Sequence, residues 1–200
     1  MEKPAETTNP VHDLIKRRWS PRSFADKAVE SAVLRSLLEA ARWAPSSNNE
    51  QPWFYIVATK EEPAEFERLL NCLVESNQTW ARHAPVLMLS VARLVFNKNG
   101  QLNRHALHDV GQAAAHLALE ATARGLGVHQ MAGILPEKAR ELFAIPAGFE
   151  VVAGMAVGYP GDPEALPEKL KEREVAPRFR KPLVSFVFAG KWGQTAPVVK

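Results

Sequence analysis

A chain of 200 residues with 46% hydrophobic, 24% charged and 8% aromatic residues is large enough for one domain with a real core; by surface scaling, folding at this size buries roughly 70% of the extended chain's surface. These proportions exclude disorder, collagen-like repeats and coiled coil as whole-chain descriptions. The 25 basic and 22 acidic residues leave a net charge of only +3, too slight for a general nucleic-acid-binding surface.

Asn9-Pro10 reads as a helix cap with proline at the first position, and Val11, Leu14 and Ile15 follow at helical spacing. This short helix delivers Lys16-Arg17-Arg18 to its end. A second helix spans Ser31 to Trp43, with Leu34, Leu37, Leu38 and Ala41 on one face and Pro45 beyond its end. Trp53 to Ala58 is short, apolar and rich in β-formers, which predicts a strand buried on both faces. Pro63 opens a helix carrying Phe66, Leu69, Leu70 and Leu73, and Val86 to Ala92 predicts a second buried strand. Asn97 to Gly100 reads as a turn or exposed loop.

A long helix from Arg104 to Arg124 presents Val110, Ala113, Ala114, Leu117 and Ala121 as a stripe, with Gly125 as its cap. Its alanines permit close approach of another helix, in the core or at a subunit interface. Gly127 to Gly133 leads into a short helix over Pro136 to Phe143, Val151 to Val157 predicts a third strand, Pro163 to Pro177 is charged, and Leu183 to Phe188 predicts a last strand. Helices interleave with short strands: one sheet flanked by helices.

Common catalytic patterns fail on context. Gly125-Leu126-Gly127 follows a helix and lacks the third glycine of a dinucleotide fingerprint. No phosphate loop with Gly-Lys-Ser/Thr and no Gly-x-Ser-x-Gly elbow occurs. His105 and His108 read as polar residues at a helix start, because no further Cys or His cluster accompanies them. Cys72 among Leu69, Leu70 and Leu73 reads as an inert thiol. A lone cysteine and an N-terminus without an apolar core segment suggest the cytoplasm, with no membrane partner.

Two segments carry more. In Arg17-Arg18-Trp19-Ser20-Pro21-Arg22, an extended backbone sends Arg18, Ser20 and Arg22 to one side, offering two guanidiniums and a hydroxyl to an anion. A solvated basic loop accounts for that segment equally well. Pro45 to Trp53 packs small hydrogen-bonding side chains and amides between a helix end and a strand, where ligand sites often lie.

At these residues the chain resembles the FMN-dependent nitroreductase family. The resemblance covers about residues 12 to 190 of a single domain spanning 1–200. It rests on five segments in the family's order, the specific Pro-Ser-Ser-x-Asn-x-Gln-Pro-Trp, then Asn77-Gln78-Thr79-Trp80, Asp109-x-Gly111 with Gly125-Leu126-Gly127, Met131-Ala132-Gly133, and Arg178-Phe179-Arg180-Lys181-Pro182; the Arg18-x-Ser20-x-Arg22 run alone is common. It implies an α+β sandwich with a central, mainly antiparallel sheet, and a domain-swapped homodimer with two flavin sites at the interface.

The resemblance also implies roles. Arg18, Ser20, Arg22, Arg178 and Arg180 would hold the FMN phosphate, for which planar guanidiniums are well shaped. Pro45, Ser46, Ser47 and Asn49 would wrap the ribityl chain and ring edge, and Gln51 and Asn77 would contact the pyrimidine half. Met131, Ala132 and Gly133 would lie against the ring, with main-chain N–H groups near N5 and O4. NADH or NADPH would supply hydride, and a nitroaromatic, quinone or other small-molecule acceptor would discharge it in ping-pong turnover, with no side-chain acid or base required. The Phe96–His105 loop would cover the acceptor pocket, and Leu183 to Phe188 would be the exchanged strand or a strand within its own subunit. One departure stands out: many relatives carry Glu where this chain has Ala132, which opens the alternative of a flavin carrier or sensor without turnover.

Overall fold

The computed structural model describes residues 2–199. Four strands, β1 (Trp53–Thr59), β2 (Val86–Arg93), β3 (Gly127–Met131) and β4 (Phe149–Gly158), form one sheet in the order β1-β2-β4-β3, every neighbouring pair antiparallel. Among the described residues seven α-helices surround it: α1 (Asp13–Arg17), α2 (Ser31–Arg42), α3 (Pro63–Leu70), α4 (Glu75–Ala81), α5 (Ala106–Ala123), α6 (Pro136–Leu142) and α7 (Glu168–Val175).

Alternation along the central strands divides the core into two layers. Leu87, Leu89 and Val91 point toward Phe66, Leu69, Leu70, Trp80 and Ala139 from α3, α4 and α6. Val86 and Met88 point the other way, toward Leu37 and Ala41 of α2 and Ala113, Leu117 and Ala121 of α5. A bulge at Val152 shifts the β2–β4 register between Ser90 and Val91. It lets Val151 share a face with Ala156 in spite of their odd separation. Among the described residues no helix is long and apolar enough to cross a membrane.

Several sequence expectations need correction. β1 is an edge strand in which only Ala58 is fully buried; both its faces are packed, Ile56 and Ala58 in one core layer and Trp53, Tyr55 and Val57 in the other, but most of these residues are only partly covered. The first helix begins at Asp13, where the Nδ1 of His12 accepts the N–H of Leu14 at 3.2 Å; Asn9 and Pro10 precede it. Asn77 to Trp80 belongs to α4, and the charged run after Pro163 contains α7. Gly127–Met131 is a strand that its His and Gln conceal.

Leu183–Phe188 is not a strand, exchanged or internal. Pro182 sets the backbone for a turn that the N–H and Oγ of Ser185 close by donating to its carbonyl, at 3.0 and 2.8 Å. The chain then folds on itself through a Phe188–Thr195 bridge, leaving Phe179, Phe186 and Trp192 exposed.

Candidate functional site

The extended Arg18–Arg22 segment leaves α1 and crosses β3. The ring of His129 anchors it there, its Nδ1 donating to the carbonyl of Pro21 at 2.9 Å. Gly127 is required beneath it, since a Cβ at that position would collide with the ring of Pro21. From α7, the carboxylate of Glu174, 1% exposed, accepts the N–H groups of Arg22 and Ser23 at 2.8 and 3.1 Å. Arg22 Nη1 lies 3.7 Å from its other oxygen. Two anchors, the partly buried His129 and the buried Glu174, thus fix the backbone that presents Arg18, Ser20 and Arg22.

Those three side chains line a cavity of about 160 Å³ together with Lys3, Arg178 and Arg180. Arg18 Nη1 reaches Ser20 Oγ at 3.4 Å. Arg178 is engaged differently from the sequence expectation. Its Nη1 donates to the carbonyls of Lys3 and Lys16 and its Nη2 to that of Arg18, each at 2.8 Å. It therefore clasps three backbone segments and retains only part of its five-donor fork. Burial lowers the pKa of Arg18, and Arg178 and Arg180 lower it further; Arg178 is lowered by burial and by Arg180. Cations that destabilise one another in a shared hollow mark a place where an anion is favoured.

His129, partly buried against the ring of Trp80 with centroids 4.6 Å apart, has its pKa lowered to about 4, first by burial and then by Arg22. It is a neutral structural donor at ordinary pH.

The far end of β3 carries a second polar group. Gly133 accepts the N–H of Val74 at 3.1 Å and the Nδ2 of Asn77 at 3.0 Å on its carbonyl. A Cβ on Gly133 would lie 2.5 Å from that Nδ2 and 2.8 Å from Val74 Cγ2, so only glycine allows this approach. Met131 is buried under the sheet end, while Ala132 is exposed. The N–H of Gly133 has no protein acceptor among the described residues.

The Pro45–Gln51 loop is a third, separately built unit. Asn48, Asn49 and Gln51 adopt φ of 53°, 55° and 52°, a left-handed geometry that asparagine tolerates best among side-chain-bearing residues. Ser46 holds it shut by accepting the N–H of Gln51 on Oγ at 3.0 Å, and Gln51 Nε2 donates to the carbonyl of Asn49 at 3.1 Å. Asp109, 2% exposed in the first turn of α5, accepts the N–H of Ser47 at 3.0 Å. Asn49 and Gln51 remain exposed.

The structure brings Arg18, Ser20, Arg22, Arg178 and Arg180 together, and joins Asn77 to Gly133 along the same strand. It does not bring Pro45, Ser46, Ser47, Asn49 or Gln51 to the cation cluster. Trp53 aligns through Ala92 with Glu150, whereas Gly127 aligns with Gly158, eight residues further along β4. Three strand spacings and that offset put the starts of β1 and β3 about 30 Å apart. Sequence reasoning assigned no function to Lys3, Glu174 or His129, and took Asp109 only as a helix opener. Glu174 and Lys3 sit in charged, aperiodic segments whose partners lie more than 150 residues away, so no local signal marks them.

A mainly antiparallel sandwich with a cation-lined hollow at one end of an edge strand and a glycine-dependent polar cradle at the other defines a class of cofactor-binding α+β protein. The model of the family described as "Nitroreductase family" matches residues 15–159, and the chain belongs to that family. A solved oxidoreductase containing FMN superposes with a TM-score of 0.90 at 35% identity, covering 96% of this chain and 97% of that one. A putative nitroreductase from Desulfovibrio desulfuricans, solved in complex with FMN, gives 0.71 at 25% identity over 93% and 99% of the two chains. The FMN reductase [NAD(P)H] of Bacillus subtilis is 28% identical over 188 residues, 84% of this chain and 72% of its own length.

Proposed function

We propose that this protein is an FMN-dependent NAD(P)H oxidoreductase that reduces nitroaromatics, quinones or related small acceptors in two half-reactions at one flavin. The observation that carries this reading is the order of groups along β3. A cluster of mutually destabilising cations lies at one end, and a cradle that a Cβ would fill, with an unpartnered N–H, lies at the other. That is the order of phosphate, ribityl chain and ring in FMN, and the residues fit it.

Arg18, Ser20, Arg22 and Arg180 hold the phosphate, with Arg178 fixing the backbone around them. Asn77 and the main chain at Met131, Ala132 and Gly133 face the ring. When bound, FMN supplies hydride acceptance at N5 and release of electrons to the second substrate. The fixed N–H groups of Ala132 and Gly133 favour the negative charge that accumulates on the ring upon reduction, at no cost of reorganisation. No side chain has to carry a proton for this, so the missing carboxylate at Ala132 changes the field around the ring and leaves the donors in place.

The Pro45–Gln51 loop lies too far from its own chain's phosphate group to share a mononucleotide with it. We infer that the loop of a second copy completes each site, Ser46, Ser47, Asn49 and Gln51 closing on the ribityl chain and ring edge, in a homodimer. Exposed Phe179, Phe186 and Trp192 support such a partner.

The purified protein should be yellow or take up FMN, sediment as a dimer, and bleach rapidly when NADH or NADPH is added without oxygen. Failure to bind FMN would overturn the reading. Binding without bleaching would make the protein a flavin carrier or sensor instead.

A further inference from the structure

One cation of the phosphate hollow lies outside every segment that the family resemblance covers. Lys3 lines the cavity with Arg18, Ser20, Arg22 and Arg180 from an arm that precedes α1. Arms of this kind usually fray, because ordering them costs conformational entropy with little burial in return. This one is tied at successive points. Arg178 donates to the carbonyl of Lys3, and the N–H of Ala5 donates to the carbonyl of Lys16 at 2.8 Å. Lys3 Nζ donates to the carbonyl of Glu174 at 2.5 Å and lies 5.5 Å from the ring centroid of Trp19.

The charge balance around Lys3 is incomplete. An ammonium has three donors, and the Glu174 carbonyl takes one. Burial lowers the Lys3 pKa; Glu174 opposes that, while Arg178 and Arg22 add to it. The Glu174 carboxylate gives Oε1 to two main-chain N–H groups, and its buried Oε2, which holds no hydrogen bond, lies 3.7 Å from Arg22 Nη1. An ammonium on an arm tied at three points, in a hollow where the Glu174 carboxylate faces Lys3, Arg18, Arg22, Arg173, Arg178 and Arg180, has donors to spare for a further anion.

Resting on the reading of this hollow as the FMN phosphate site, we propose that Lys3 is a direct ligand of that phosphate and that the arm carrying it forms one wall of the binding site. Arg178 then has a defined part. By gripping the carbonyls of Lys3, Lys16 and Arg18 with one guanidinium, it fixes the spacing between the arm and the Arg18 segment, so that Lys3 and Arg18 approach the phosphate as a unit.

The test compares FMN with riboflavin, which lacks the phosphate, by fluorescence titration of flavin-stripped protein. Wild type should prefer FMN. Lys3→Met and Lys3→Gln should each weaken FMN binding about tenfold, as loss of a charged hydrogen bond does, with riboflavin affinity unchanged and FMN dissociation correspondingly faster. Unchanged riboflavin binding also shows that the variants are folded. A wild type that prefers FMN while both variants keep the full preference would overturn the role of Lys3 alone, and so would an equal loss for both flavins. A wild type indifferent to the phosphate would overturn the reading of the hollow itself.

Discussion

The main-chain N–H of Ser47 donates to the carboxylate of Asp109 at 3.0 Å, joining a loop and a helix start 62 residues apart. Ser47 belongs to a loop in which three residues hold left-handed backbone, so this bond helps stabilise a shape that local preference disfavours. Asp109→Ala should lower stability by about 1–3 kcal/mol by leaving a buried donor unmatched, and Asp109→Asn, which keeps an acceptor oxygen, should cost less. Urea unfolding of the flavin-free protein measures both. Equal stability of all three forms would show that the loop holds itself.

Arg18 and Arg178, which the sequence puts in one role, should separate. Arg18→Ala should weaken FMN binding by about 1–3 kcal/mol with little change in stability. Arg178→Ala should lower the melting temperature as well, because three carbonyls lose a charged donor. Arg178→Lys should recover little of this, since an ammonium lacks the planar fork that reaches all three. Calorimetry with and without FMN distinguishes the two effects.

His129 makes stability depend on pH. Its folded pKa of about 4 lies below the ordinary 6.5, so between those values the unfolded chain takes up a proton that the folded chain declines. The contribution is fully present above pH 6.5 and is lost as pH falls toward 4, at up to about 1.4 kcal/mol per pH unit. Urea midpoints should drop over this window in wild type and drop less in His129→Gln. Parallel curves would remove His129 as the cause.

Gly133→Ala should push Asn77 and Val74 apart from the end of β3. Overpacking of this kind costs about 1–3 kcal/mol. The same shift should weaken FMN and riboflavin alike, because it acts at the ring end and not at the phosphate. A selective loss of FMN would reverse the orientation proposed along β3.

Much of the framework was legible because apolar runs and helical stripes report burial locally: β2, β4 and α5 follow directly from their residues. The edges were harder. β1 is as apolar as a central strand although one edge is uncovered, and β3 hides behind His129 and Gln130. Helix α7 was missed because a nearly all-charged segment shows no apolar stripe, yet it supplies the buried Glu174. Leu183 to Phe188 has strand composition, but Pro182 and Ser185 close a turn instead. In the candidate site, the arginines that the sequence offered to one anion line one hollow. Which cations stay free in the hollow and which grip main-chain carbonyls depends on segments up to 175 residues apart, beyond any local pattern.

That separation bears on how the protein is made. The Arg178 clasp closes loops of 160 to 175 residues, the kind of contact that forms late because so much chain must first be brought to order. A growing chain on the ribosome can assemble β1, β2 and the Ser47–Asp109 bond long before residue 178 is synthesised. Its early cluster of arginines must wait for the distant segment to arrive. A nascent chain stalled before Arg178 would carry most of the fold while its cation hollow stayed unassembled, so a ligand that needs this hollow would be loaded only near the end of synthesis.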